Sequence, residues 1–390
     1  MKIENIELKN YRNYENLKID FSPNINVLIG KNAQGKTNML EAIFFVAIGK
    51  SLRTNKENEL IKWGENSAYI KTQIEKKYSK RTIEIFLTNG AKKTVKINKM
   101  PIKRIGELLG ELRCVYFSPD ELKLIKESPE DRRRFMDIDI SQTSKTYFYL
   151  LGKYDKILSM RNKLLKNYKD KIKITKTSKK YKLLDDNTNL NMFEELKSML
   201  EIYNEQLSET ASKIVVFRQN FVNELSPFAA KTHLFLTSNT ETIKINYTTD
   251  IDLSVGNFEE LCKNYKENFK EKLSDCILKD IYLGYTSIGP HRDDIEIFVN
   301  EIDVKNFGSQ GQQRTAALSL KLAEIEIIKQ QTGETPVLIL DDVLSELDVS
   351  RRTKLLKFCG ICQTFISATE IDVNLKDAKV ITINNGKIQL

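Results

Sequence analysis

Residues Gly30-Lys31-Asn32-Ala33-Gln34-Gly35-Lys36-Thr37 satisfy the pattern G-x-x-x-x-G-K-[ST] at every fixed position. Before the string stands Ile25-Asn26-Val27-Leu28-Ile29, a run of strand length and β-branched content. After it, Met39, Leu40, Ala42 and Ile43 open a helical pattern that leaves Glu41 exposed. Strand, glycine loop and helix in succession form the context that makes such a string a phosphate loop. The glycines let the loop curl until successive backbone N–H groups point at phosphate oxygens, beside the positive end of a helix. Lys36 is then expected to bridge the β and γ phosphates, and the Thr37 hydroxyl to ligate Mg²⁺. The chain is expected to carry an α/β nucleotide-binding core.

A second element of such a site lies almost three hundred residues away. Val337-Leu338-Ile339-Leu340 is an apolar strand ending in Asp341 and Asp342, preceded by the breakers Gly333 and Pro336. Asp341 is the expected metal-side aspartate, and Asp342 stands where a general base or water-positioning acid belongs. Upstream, Ser309-Gln310-Gly311-Gln312-Gln313-Arg314 leads into a helical pattern through Ala316, Ala317, Leu320, Ala323 and Ile327. Ser309, Gly311 and Gln312 at a helix start offer a hydroxyl, bare N–H groups and the helix dipole to an anion. Taken alone, they read first as an ordinary N-capped helix, and only their place before the Asp341-Asp342 strand favours the anion site.

The order of these motifs, completed by Ser345-Glu346-Leu347-Asp348, resembles the ATP-binding cassette superfamily. That resemblance implies that Ser309 and Gly311 of one chain close over ATP held by another. Thr37 and Ser309 are 272 positions apart, too far for a transporter cassette and too near for a chromosome-structure ATPase with a long coiled coil. Several further strings narrow the match: Leu8-Lys9-Asn10-Tyr11-Arg12-Asn13-Tyr14, Phe117-Ser118-Pro119-Asp120, Arg132-Arg133-Arg134-Phe135 after Ser128-Pro129, and Gly289-Pro290-His291-Arg292-Asp293-Asp294. With Leu340 to Asp348 they resemble the RecF family of bacterial recombination mediators over essentially the whole chain. The resemblance implies an ABC-type P-loop ATPase head, a mixed sheet plus a parallel core, with an inserted helical second lobe. It implies ATP and Mg²⁺ as ligands, slow switch-like hydrolysis stimulated by DNA, and an ATP-dependent homodimer. DNA with gaps or single-strand/duplex junctions is the implied target, and RecO, RecR and indirectly RecA are the implied partners in DNA repair and the SOS response. Ala33 stands where members often carry glycine, and Met136 where leucine is common. The switch histidine of cassettes is absent, with Thr369 near its place.

The expected division is residues 1–125 and 280–390 for the ATPase lobe and 126–279 for the helical lobe, with the signature helix 309–330 able to pack with the helical lobe. Alternation around Ile83, Ile85, Leu87 and then Val95, Ile97, split by Asn89-Gly90, predicts a hairpin, and Asn385-Gly386 predicts another near 380–388. Ser128-Pro129-Glu130-Asp131 predicts a helix start. Phe193, Leu196, Leu200, Tyr203, Leu207, Ile214, Phe217, Phe221 and Leu225 predict a long helix whose stripe is ordinary core. From Lys163 to Lys182 there are nine lysines and one acid, Asp170. That stretch reads as a solvated, partly disordered loop, with a DNA-phosphate strip as the competing reading.

Composition restricts the class further. The 390 residues carry 62 Lys plus Arg against 53 Asp plus Glu, a net +9 that permits nucleic acid without requiring it. The longest apolar run, Ala42 to Ile48, is far short of a membrane span, and no leader pattern is seen, so a cytoplasmic chain is expected. Five cysteines read as reduced thiols, with Cys359 and Cys362 as buried apolar residues. His291 reads as structural. The competing functional class is an energy-coupling cassette subunit that does not act on DNA, disfavoured by the 272-residue gap; a small-molecule P-loop kinase would have no use for Ser309 to Arg314.

Overall fold

The computed structural model describes residues 1–178, 180–253, 255–370 and 378–389. They form two compact units, one of residues 1–127, 224–244 and 297–390, the other of residues 128–223 and 245–296.

The first unit contains two six-stranded sheets. One is wholly antiparallel, in the order Tyr14–Asp20, Lys2–Tyr11, Ser67–Glu75, Lys80–Thr88, Thr94–Ile97, Met100–Pro101. Its strands alternate, with Ile3, Ile6, Leu8 and Tyr11 buried on the first, as expected of a sheet that covers a core with one face. The predicted hairpin is present, pairing Ile83 with Ile97 and Ile85 with Val95.

The other sheet runs Lys387–Gln389, Ala378–Asn384, Ile25–Ile29, Thr364–Ala368, Val337–Asp341, Cys114–Phe117, parallel except for its terminal hairpin. Every residue of Cys114–Phe117, Val337–Asp341 and Thr364–Ala368 is buried, because both faces are covered. The helix Lys36–Ile48 is buried nearly all round, and the helix Gln310–Thr332 is almost as deeply embedded, ending on Gly333 in the left-handed conformation. This mixed sheet plus parallel core is the expected head architecture.

The second unit is mostly helical. Pro129–Thr143 begins where predicted, with Ser128 and Asp131 capping each other. Lys145–Tyr168 follows, and the predicted long stripe lies within a 50-residue helix, Asn187–Leu236. A buried cluster of Leu165, Ile172, Leu196, Leu200, Ile277 and Ile281 forms part of this unit's core. Fully buried Arg161 donates to Asp280 at 2.8 Å, Thr286 at 2.7 Å and Asn204 at 3.0 Å. Arg218 donates likewise to Asp137 and to the Pro290 carbonyl.

Three observations differ from the sequence reading. Residues 224–244 group with the first unit, since the long helix continues past residue 223 and buries Leu225, Ala229 and Leu236 there. Residues 280–296 group with the second, where Asp280, Thr286 and Pro290 bind the two buried arginines. The lysine-rich stretch is not a loop: it finishes a helix and then forms an antiparallel hairpin, Ile174–Thr177 with Lys180–Leu183, Lys179 lying outside the described residues. No helix among the described residues is long and apolar enough to cross a membrane.

Candidate nucleotide-binding site

The glycine loop leaves the strand Ile25–Ile29 and enters the helix Lys36–Ile48. A Cβ on Gly30 would lie 2.3 Å from the Ile383 carbonyl, and Gly35 has φ 118° with the Asn13 amide 2.7 Å from where its Cβ would be. Only glycine fits either place. Ala33 also has positive φ, 65°, and so bears a strain of about 1–2 kcal/mol that glycine would avoid.

The loop is held from two sides. Asn13 Nδ2 donates to the Gln34 carbonyl at 2.9 Å, and the Tyr14 hydroxyl to that of Gly35 at 2.9 Å. From the closing hairpin, Gly386 N donates to the same Gln34 carbonyl at 3.0 Å and Asn385 N to Gln34 Oε1 at 2.6 Å. Arg12 makes a two-pronged pair with Glu41, at 2.9 and 2.8 Å, and Ser51 donates to the same carboxylate. Glu41 is therefore buried at 2 % exposure, not exposed as its helical phase suggests.

Lys36 is buried, its Nζ donating to the carbonyls of Gly30 and Lys31. Burial pulls its pKa below the ordinary lysine value, against the opposing pull of Asp342 and Asp341. The Thr37 hydroxyl donates to Asp341 Oδ1 at 3.1 Å, so the two expected magnesium ligands stand side by side. Two further donors fix that carboxylate: Ser367 Oγ to Oδ1 at 2.6 Å and the Tyr116 hydroxyl to Oδ2 at 2.8 Å. Burial, reinforced by Asp341, raises the Tyr116 pKa and keeps the phenol a donor. Ser367 Oγ also accepts from Asp342 N at 2.9 Å, which helps hold Asp342 at φ 56° with its side chain exposed. The cleft over the loop has a volume of about 500 Å³ and is lined from Asn32 to Asn38 and by Arg53, Asp342 and Ser367.

A hydroxyl plus a carboxylate, both hard oxygen donors, fit Mg²⁺, and a cleft with a lysine and an arginine beside bare loop N–H groups fits a nucleotide polyphosphate. Arg53, Tyr116, Ser367 and Asn13 carry no fixed spacing to the glycine loop, and sequence reasoning missed their roles here. Thr369 is exposed and does not line the cleft; the hydroxyl that does, from the same strand end, belongs to Ser367.

Ser309, Gly311 and Gln312 are not brought to this cleft. Ser309 caps the helix Gln310–Thr332 through a reciprocal pair with Gln312, accepting at 3.2 Å from Gln312 N while Ser309 N donates to Gln312 Oε1 at 3.0 Å. Ser309 and Gln310 are exposed. Gln312 Nε2 donates to Glu241 at 3.0 Å, and the other oxygen of Glu241 lies 3.6 Å from Nε2 of the buried His233. Arg314 donates to the Glu346 carbonyl at 3.0 Å, linking the signature to the segment after Asp342. Cys359 and Cys362 are buried, their thiol pKa values pushed up by burial to about 12 and about 11.

Residues 2–379 match the family model described as RecF/RecN/SMC N terminal domain. The chain is 42 % identical over 394 residues to the DNA replication and repair protein RecF of Clostridium botulinum strain 657, covering 100 % of both chains. It is 41 % identical to that of Alkaliphilus oremlandii, again over 100 % of both. A solved structure of the recombination mediator protein RecF-ATP in the RecFOR pathway superposes with a TM-score of 0.86 at 34 % identity, over 100 % of this chain and 97 % of that one. An Smc head domain of Pyrococcus furiosus shares the fold, at a TM-score of 0.54 and 16 % identity, over 100 % of this chain and 95 % of that one.

Proposed function

The chain belongs to the RecF family, and from that we propose that it is an ATP-dependent DNA-binding protein of recombinational repair and replication-gap processing. ATP binding joins two copies into a clamp on DNA, at gaps or single-strand/duplex junctions, and the clamp assists recombinase loading with RecO and RecR. The observation that carries this reading is the meeting of Lys36, Thr37, Asp341, Asp342 and Ser367 around one cleft, from segments more than three hundred residues apart.

The loop N–H groups from Gly30 to Thr37 and the Lys36 ammonium would hold the phosphates, and Thr37 and Asp341 would hold Mg²⁺. Bound Mg²⁺–ATP supplies the transferable γ-phosphoryl group. Ser367 and Tyr116 hold the Asp341 carboxylate in position by donating to its two oxygens, while the exposed carboxylate of Asp342 is available to orient a water. The exposure of Ser309 and Gln310, away from their own chain's cleft, supports their serving a second copy. ATP must favour the dimer by its differential affinity, or it shifts nothing.

Sedimentation velocity with ATP and Mg²⁺ tests this. A dimer is expected for the wild-type chain and monomers for Lys36→Met and Ser309→Arg. Monomers throughout would overturn the clamp, and a wild-type dimer yield in Ser309→Arg would remove the shared site.

A further inference from the structure

We propose that the outer face of the hairpin Ile174–Thr177 and Lys180–Leu183 is a contact surface for a nucleic-acid phosphate backbone, an inference that rests on the DNA-binding reading above. Cross-strand pairing fixes which side chains share a face: Lys176 with Tyr181 and Ile174 with Leu183 on one, Thr175 with Lys182 and Thr177 with Lys180 on the other. Ile174 and Leu183 pack against the buried cluster around Leu165 and Ile281, so their face is the inner one. The Tyr181 and Tyr282 rings lie 5.3 Å apart, inclined by 54°, with Lys176 Nζ within 6 Å of both ring centres. The outer face of the paired residues carries lysine and threonine, and the same alternation extends it to Lys173 with the exposed Leu184 opposite.

A solvated linker needs none of the anchoring that holds this hairpin. Asn189, 1 % exposed, closes its base: its Oδ1 accepts from Lys173 N at 2.8 Å, and its Nδ2 donates to the carbonyls of Lys173 at 3.1 Å and Leu184 at 2.8 Å. All eight described lysines between 163 and 182 are exposed, and none is ion-paired within the described residues. An ordered face of ammonium and hydroxyl donors with no carboxylate among them suits a repeating phosphate, which such groups bind without reading sequence.

The test is fluorescence anisotropy of labelled single-stranded and gapped DNA, with and without ATP, from 50 to 200 mM salt. It compares the wild-type chain, the triple variant Lys173→Gln, Lys180→Gln, Lys182→Gln, and a control of equal charge change in the first unit, Lys92→Gln, Lys99→Gln, Lys103→Gln. Circular dichroism confirms that each is folded. Losing about three phosphate contacts should flatten the slope of log affinity against log salt by roughly 2–3 in the hairpin variant, with the control keeping the wild-type slope. Equal slopes in all three chains, or equal flattening in both variants, would overturn the hairpin surface while leaving DNA binding intact. A wild-type chain that binds no DNA in any condition defeats the DNA-binding reading itself. Loss of binding to phosphatidylserine vesicles by the hairpin variant, with DNA affinity unchanged, would reassign the face to membrane and overturn the proposal.

Discussion

Acid should weaken the second unit through one imidazole. His291 Nε2 lies 3.1 Å from the Thr286 carbonyl, which can only accept, so Nε2 carries the proton. Nδ1, 2.8 Å from the Tyr154 hydroxyl, then accepts. Both ring nitrogens are satisfied in the neutral form, and a second proton would have to displace Tyr154. Burial pushes the His291 pKa down to about 4, helped by Arg292 and Arg133 and opposed by the Thr286 carbonyl and Asp250. In the unfolded chain the value is about 6.5. Between these limits the unfolded chain binds a proton that the native one refuses, so stability rises with pH across the window. The contribution is complete above about pH 6.5 and is lost as pH falls toward 4. The gap is worth about 3 kcal/mol, trimmed toward about 2 because the ring keeps some solvent contact.

His291→Gln keeps one donor and one acceptor without titrating. Urea unfolding followed by far-UV circular dichroism should be run on both chains at pH 4.5, 5.5, 6.5 and 7.5. Relative to the variant, the wild-type chain should lose about 2 kcal/mol between pH 7.5 and 4.5. The pKa of His233 is also lowered by burial, but that effect is common to both chains and cancels. Parallel profiles would refute the tautomer assignment and the linkage drawn from it.

Three further outcomes are expected. Arg161→Met leaves Asp280 buried and uncompensated, a loss of about 3–5 kcal/mol; faster amide exchange in the helix Lys145–Tyr168 would report it, and adding Asp280→Leu should recover most of the loss. Ser367→Ala removes a donor to Asp341 and the acceptor for Asp342 N, costing about 1.5–3 kcal/mol. That is roughly tenfold to a hundredfold in Mg²⁺-dependent nucleotide affinity, read by titration with a fluorescent nucleotide, and an unchanged affinity would count against this geometry. Glu241→Ala releases Gln312, so ATP-dependent dimer should weaken about tenfold in sedimentation while the monomer stays folded.

The parts of this molecule that sequence reveals are those in which neighbours in the chain act together. The glycine loop is such a part, since its curl and the helix that follows are local. So is Val337–Asp341, whose unbroken apolar run follows from burial on both faces. Ser367 and Tyr116 act on Asp341 from separate strands of the parallel sheet, and only the strand order brings them together. Glu41 shows the opposite trap: periodicity places it outside, yet Arg12, 29 positions earlier, makes burial tolerable by pairing with it. The lysine stretch misleads because charge resembles solvation, whereas the anchor that orders it, Asn189, lies beyond the lysines.

The two-sided grip on Gln34 has a consequence for synthesis. Asn13 leaves the ribosome early, but Asn385 and Gly386 follow about 370 residues later, a lag of roughly 20–70 s at 5–20 residues per second. Within that interval every residue of the helical unit is synthesised, since its last residue is 296. The phosphate loop meanwhile has its strand, its helix and one of its two supports. A nascent chain stalled before residue 385 would therefore present a half-braced loop.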